Sequence, residues 1–184
     1  MVDMDEFLYI VNDTLKAFLA NKKFDKCNFI IFNWVIPTDN GLIYYDERPL
    51  FKRFKPPYKK SFQVKSIIRG NISNLTYGIH TPQNSPIKNI TCNNEGKKIY
   101  YKQLPFNVLT PININKGYII HFRYKTLEEF LNKLRRGWRS SKDKNRNGIY
   151  TFLSLFNFFQ INSVTKEKIN FLYNEIDINL YKNK

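Results

Sequence analysis

The sequence predicts a mixed α/β domain, and three observations predict it. Cys27 to Ile36 is dense in β-branched and aromatic residues and reads as a buried strand. Thr126-Leu127-Glu128-Glu129 is a capping box, the signature of a helix start. Across 184 residues, 42% apolar and 16% aromatic composition supplies one sizeable core, which excludes a chain disordered throughout. A single domain over residues 1–184 is expected, with a mixed sheet, flanking helices and a helical carboxyl terminus.

In chain order, Asp3 to Glu6 reads as extended chain, with Asp3 and Asp5 on one face and Met4 turned into the protein. Asp13 or Thr14 can cap a short helix whose Leu15, Phe18 and Leu19 share one face. The Cys27 to Ile36 strand closes at the turn Pro37-Thr38-Asp39-Asn40-Gly41, and a second strand is expected from Leu42 to Tyr45. Pro49 to Lys60, with Pro56-Pro57 and many cations, reads as a mobile basic loop. Further strands are expected around Gln63 to Arg69, Leu75 to His80 and Tyr118 to Phe122. The capping box opens a helix with an apolar stripe of Leu127, Phe130, Leu131 and Leu134, stopped by Gly137. A basic linker over 139–148 leads to helices from Ile149 to Phe159 and from Thr165 to about Ile176.

Two carboxylates two residues apart on an extended segment offer hard oxygens to Mg²⁺ or Mn²⁺, which take their other ligands from water and substrate phosphates. Asp3 and Asp5 are therefore candidate metal ligands. The two histidines, His80 and His121, each follow an apolar run at the end of an expected strand, where α/β sites gather. Asp46 and Glu47, just after an expected strand, are candidate catalytic bases. Lys65, Arg69, Arg123 and Lys125 are candidate diphosphate contacts. Trp34 and Tyr44 or Tyr45 could stack on a sugar ring. No Ser or Cys sits in a nucleophile elbow.

The segment Val2-Asp3-Met4-Asp5-Glu6-Phe7-Leu8 resembles the D-x-D-E-F motif of GT-A-type glycosyltransferases of the family-2-like and family-92-like groups. The same enzymes are resembled, in the same order, by Asn33-Trp34, Glu47-Arg48, Arg53-Phe54, Lys65 to Arg69, Ile79-His80-Thr81-Pro82 and His121 to Thr126 with Glu128-Glu129-Phe130, Lys133 and Arg136-Gly137. The resemblance covers most of the chain. It implies transfer of a sugar from a nucleotide-sugar donor to a hydroxyl acceptor on a glycan or protein, with Mn²⁺ or Mg²⁺ as cofactor and His80 first, His121 second, to complete the metal's coordination. It also implies that the chain is the carboxyl-terminal portion of such a domain. A split gene, a truncated relic and a start codon called too late are the alternatives this leaves, and a separate chain carrying the nucleotide-binding amino-terminal half could restore activity.

The net charge of +15 favours polyanions, so the competing expectation is a non-enzymatic binding module for nucleic acid or an anionic surface. Its contact face would be the helix after Thr126, with Lys133, Arg135, Arg136 and Arg139. No helix-turn-helix, zinc-finger or RNP-like signature accompanies the charge. Apolar runs are too short or too interrupted to span a bilayer, which takes about 20 residues. No basic leader with an apolar core and cleavage site is recognisable, and the expected compartment is the cytosol. Cys27 and Cys92, far apart and outside any metal-binding spacing, are expected to be ordinary thiols. Asn-x-Ser/Thr sites at Asn12, Asn71, Asn74 and Asn89 would matter only in a secreted protein.

Overall fold

The computed structural model describes residues 3–70, 72, 76–77, 82–83, 90–99, 108–126 and 128–130. The expected metal ligand His80, the basic linker over 139–148 and the carboxyl-terminal helices lie outside these residues. The chain divides into two compact units. The first comprises 1–36 and 58–122, the second 37–57 and 123–184.

The first unit is built on β2, Phe29–Ile36, buried at all eight positions. One of its edges pairs antiparallel with β3, Lys59–Ile68, from Phe29↔Ile68 to Ile36↔Lys59, with a register shift between Asn33 and Val35. The other edge is shared by two parallel partners: β6, Thr91–Asn93, beside Phe29 to Ile31, and β8, Gly117–His121, beside Trp34 and Val35. Antiparallel β7, Lys98–Ile99, extends the sheet beyond β6, and antiparallel β1, Glu6–Ile10, extends it beyond β8. Two short strands, β4 (Thr76–Tyr77) and β5 (Pro82–Gln83), form a separate pair. The fold is mixed α/β with a mixed sheet and few helices.

Side chains alternate between sheet faces, so each strand contributes to two cores. On one face Ile10, Ile30, Phe32, Trp34 and Ile119 pack with Phe18 and Phe24, which come from α1 (Leu15–Leu19) and the 3-10 turn Lys22–Phe24. Ile31, Val64 and Leu109 pack in a second cluster. In β2, the buried Asn33 side chain donates to the Ser61 and Phe62 carbonyls of β3 and the Leu109 carbonyl and accepts from the Asn113 amide, so its polarity is satisfied by β3 and the stretch before β8. Gly117 is required at the start of β8, because a Cβ there would lie 3.0 Å from both the Phe32 ring and the Tyr9 carbonyl.

Several expectations are corrected. Met4 is fully solvent-exposed, and Glu6 and Ile10 are the buried residues of β1. Thr14 caps α1 by accepting from the Ala17 amide, but Leu15 and Leu19 are exposed, because a helix of five residues buries only the side chain at its centre, Phe18. No strand forms over Leu42 to Tyr45, where the backbone bonds to residues outside any sheet. Pro49 to Lys60 is no loop throughout: α2, Leu50–Arg53, occupies its first part and β3 begins at Lys59. Cys27 and Cys92 form a disulfide with Cα atoms 5.8 Å apart. The parallel pairing of β2 with β6 brings the two cysteines together, a proximity invisible in linear spacing.

In the second unit, Glu128 and Glu129 organise the chain. The Glu128 carboxylate accepts from the Tyr45 amide at 2.7 Å, and its own amide donates to the Ile43 carbonyl. The capping box forms as the sequence predicts, with Glu129 accepting from the Thr126 amide and hydroxyl while the Thr126 hydroxyl accepts from the Glu129 amide. The buried Arg53 guanidinium bonds the same Glu129 oxygen at 2.9 Å.

Candidate functional site

The first unit gathers acidic, basic and imidazole groups beside its apolar core. Glu6 on β1 stands opposite His121 on β8 in the strand register, and Trp34 on β2 meets the His121 ring edge-on at 4.4 Å. Lys65 arrives from β3, its ammonium 2.5 Å from Glu6 Oε2 and 3.2 Å from Asp3 Oδ2. His121 lies between two carboxylates, its Nε2 3.7 Å from Asp5 Oδ1 and its Nδ1 3.8 Å from Glu6 Oε1. The Asp5 carbonyl accepts from the Phe122 amide, so the acidic segment is fastened to the end of β8.

Burial grades the cluster. The Glu6 side chain is 0% exposed and Lys65 7%, whereas Asp3 is 59% and Asp5 23% exposed. Desolvation raises the Glu6 carboxyl above its ordinary value, and the Lys65 ammonium and the Asp3 amide oppose that rise. The interior pair Glu6–Lys65 is therefore a fixed base on which the more accessible Asp3, Asp5 and His121 sit.

Of the expected site residues, Asp3, Asp5, Lys65 and His121 come together. Arg69 does not join them: its guanidinium donates to the Cys27 and Phe24 carbonyls at 3.1 and 3.0 Å, tying the end of β3 to the disulfide region. Asp46, Glu47, Arg123 and Lys125 belong to the second unit. There Asp46 chelates the Arg48 guanidinium and amide, which hold its carboxyl down to about 2. Arg123 lies against the Tyr124 ring, and Lys125 adopts a positive φ of 60°. Arg48 pairs with Asp46, and Arg53 with Glu129. Trp34 is 3% exposed and packs in the core, so it offers no sugar platform.

Glu6 was not singled out by the sequence reading. Its signal was present, since strict alternation of Glu6, Leu8 and Ile10 with Phe7 and Tyr9 puts a carboxylate on the inward face.

The resemblance implies a divalent cation. Asp5 and His121 adjoin, but Asp3 is engaged by Lys65, and among the described residues no group of three or more His, Cys, Asp or Glu side chains converges to hold a metal. With His80 outside them, the described donors do not by themselves complete a metal centre.

No family model, curated protein or solved structure matches the chain.

Proposed function

We propose that the chain belongs to a GT-A-type glycosyltransferase, acting on a nucleotide-sugar donor and a hydroxyl acceptor. The observation that carries this reading is the meeting of Asp3, Asp5, Lys65 and His121, four residues from three separate parts of the sequence, around Glu6 in one partly accessible cluster. Each belongs to a motif of the resemblance. In this reading Asp5 and His121 would contribute ligands to Mn²⁺ or Mg²⁺, which would supply neutralisation of the charge developing on the leaving group. Lys65 and Glu6 keep the acidic segment in place.

The Cys27–Cys92 disulfide favours an oxidising compartment over the cytosol for this protein. Among the described residues no helix is long and apolar enough to cross a membrane.

Calorimetric titration of the full chain with UDP and GDP, with and without MnCl₂, tests the proposal. Binding should require Mn²⁺ and fall at least tenfold in Asp5→Ala. Metal-independent binding, or binding unchanged in that variant, overturns it and leaves the basic binding module as the better reading.

A further inference from the structure

The second unit carries an open hollow lined by the single stretch Gly41 to Glu47. Two aromatic side chains on it, Tyr44 and Tyr45, are 66% and 58% exposed. Large exposed rings on a floppy loop would carry little meaning, but this loop is fastened along its length. The Leu42 amide donates to the Asp39 carbonyl, the Glu128 amide to the Ile43 carbonyl and the Tyr45 amide to the Glu128 carboxylate. The Arg53 guanidinium, itself fixed by Glu129, lies 5.5 Å from the centre of the Tyr45 ring. Asp46 is held in place by its chelate with Arg48. Two rings displayed to solvent on a rigid seat lose little entropy when a ligand lands on them.

We propose that this hollow binds a saccharide, with a neutral pyranose ring stacked on Tyr44 or Tyr45 and its hydroxyls donating to the Glu47 carboxylate. The electropositive C–H face of a sugar ring complements the negative face of an aromatic ring. Hydroxyl donation to an ionised carboxylate is the stronger class of hydrogen bond. The open shape suits a ligand lying on the surface and does not enclose an apolar molecule. A nucleobase could stack on the same rings, but its phosphates would meet the Glu47 carboxylate, and the two cations at hand, Arg48 and Arg53, are already paired with Asp46 and Glu129. As the acceptor side of a sugar transfer this assignment rests on the function proposed above, whereas saccharide binding itself does not.

Saturation-transfer NMR on the full chain, with lactose, maltose, cellobiose and N,N′-diacetylchitobiose as probes, decides the matter. At least one disaccharide should receive transfer. Tyr44→Ala or Tyr45→Ala should weaken that binding about tenfold, with the corresponding Phe variant retaining it. Asp5→Ala should leave it unchanged. Transfer to none of the four, transfer that survives the Tyr44→Ala/Tyr45→Ala double variant, or displacement of the sugar by a thymidine oligonucleotide overturns the assignment. Loss of metal-dependent nucleotide binding with sugar binding intact would instead retire the transferase reading and leave the hollow standing.

Discussion

Glu6 is the residue on which the candidate site turns, because it is the most deeply buried carboxylate of the cluster and Lys65 is its counter-ion. Removing one partner of a buried pair strands the other charge, at a cost of about 3–5 kcal/mol. Lys65→Met should therefore lower unfolding free energy in urea by that amount, and Lys65→Met combined with Glu6→Gln should recover most of it. Two equally destabilised proteins would show that the pair is not a unit. The pH dependence follows from the direction of the Glu6 shift. Its folded-state pKa lies above the ordinary 4.5, chiefly through desolvation, so the folded protein binds that proton more tightly than the unfolded chain. The corresponding stability is fully present below pH 4.5 and is lost as pH rises through the folded-state value. Relative to Glu6→Gln, the wild type should gain stability as urea melts are moved from pH 7 toward pH 4.5. Parallel profiles would place the carboxyl in water. Asp46, held at about 2 by Arg48, carries the opposite sign and remains ionised throughout this window.

At the scale of elements, the disulfide closes a span of 65 residues that includes β3, β4 and β5. In the chain-entropy treatment a closed loop of that length stabilises by about 4 kcal/mol. Cys27→Ser should cost close to that and dithiothreitol should lower the melting temperature of the wild type to match, while a thiol titration of native protein should find no reactive cysteine. A reducing agent without effect would count against the bond. The capping box makes a smaller, local prediction: Thr126→Ala should destabilise by about 1 kcal/mol through the lost cap on Glu129. The same contrast between local and distant causes explains what was legible in the sequence. The capping box, β2, β3 and β8 could be read because propensity and patterning act over a few neighbouring residues. The Cys27–Cys92 bond could not, since it depends on β6 finding the edge of β2. Leu42 to Tyr45 misled because its apolar and aromatic residues suggest a strand, whereas hydrogen bonds to Glu128, more than eighty residues later, decide its conformation. Of the candidate site, the motif residues Asp3, Asp5, Lys65 and His121 were legible through the resemblance, while Arg69 went astray because a guanidinium that caps backbone carbonyls looks the same in sequence as one that grips phosphate.

For the whole molecule, 30 cationic side chains against 15 acidic ones create a field that attracts any polyanion, so oligonucleotide binding alone says nothing about function. Salt dependence separates the sources of affinity. A single-stranded oligonucleotide held by about four phosphate contacts gives a log-log slope near −3, or roughly a 50-fold loss between 50 and 200 mM salt. A diphosphate held through a divalent cation at a few side chains is a short-range contact among partly buried groups, which screening affects far less; a loss under about tenfold is expected over the same range. The full chain should therefore show oligonucleotide binding that collapses with salt and metal-dependent UDP or GDP binding that persists. Replacing Lys133, Arg135, Arg136 and Arg139 together with Gln should make the oligonucleotide slope shallower and leave nucleotide binding intact, because the latter is assigned to Asp5 and His121. If the quadruple variant loses both activities in parallel, the nucleotide is being held by bulk charge and the cluster of the first unit is a structural ion-pair network. If oligonucleotide binding resists salt in the wild type, stacking or base contacts contribute to it, and the basic segment after Thr126 becomes the functional surface of the protein.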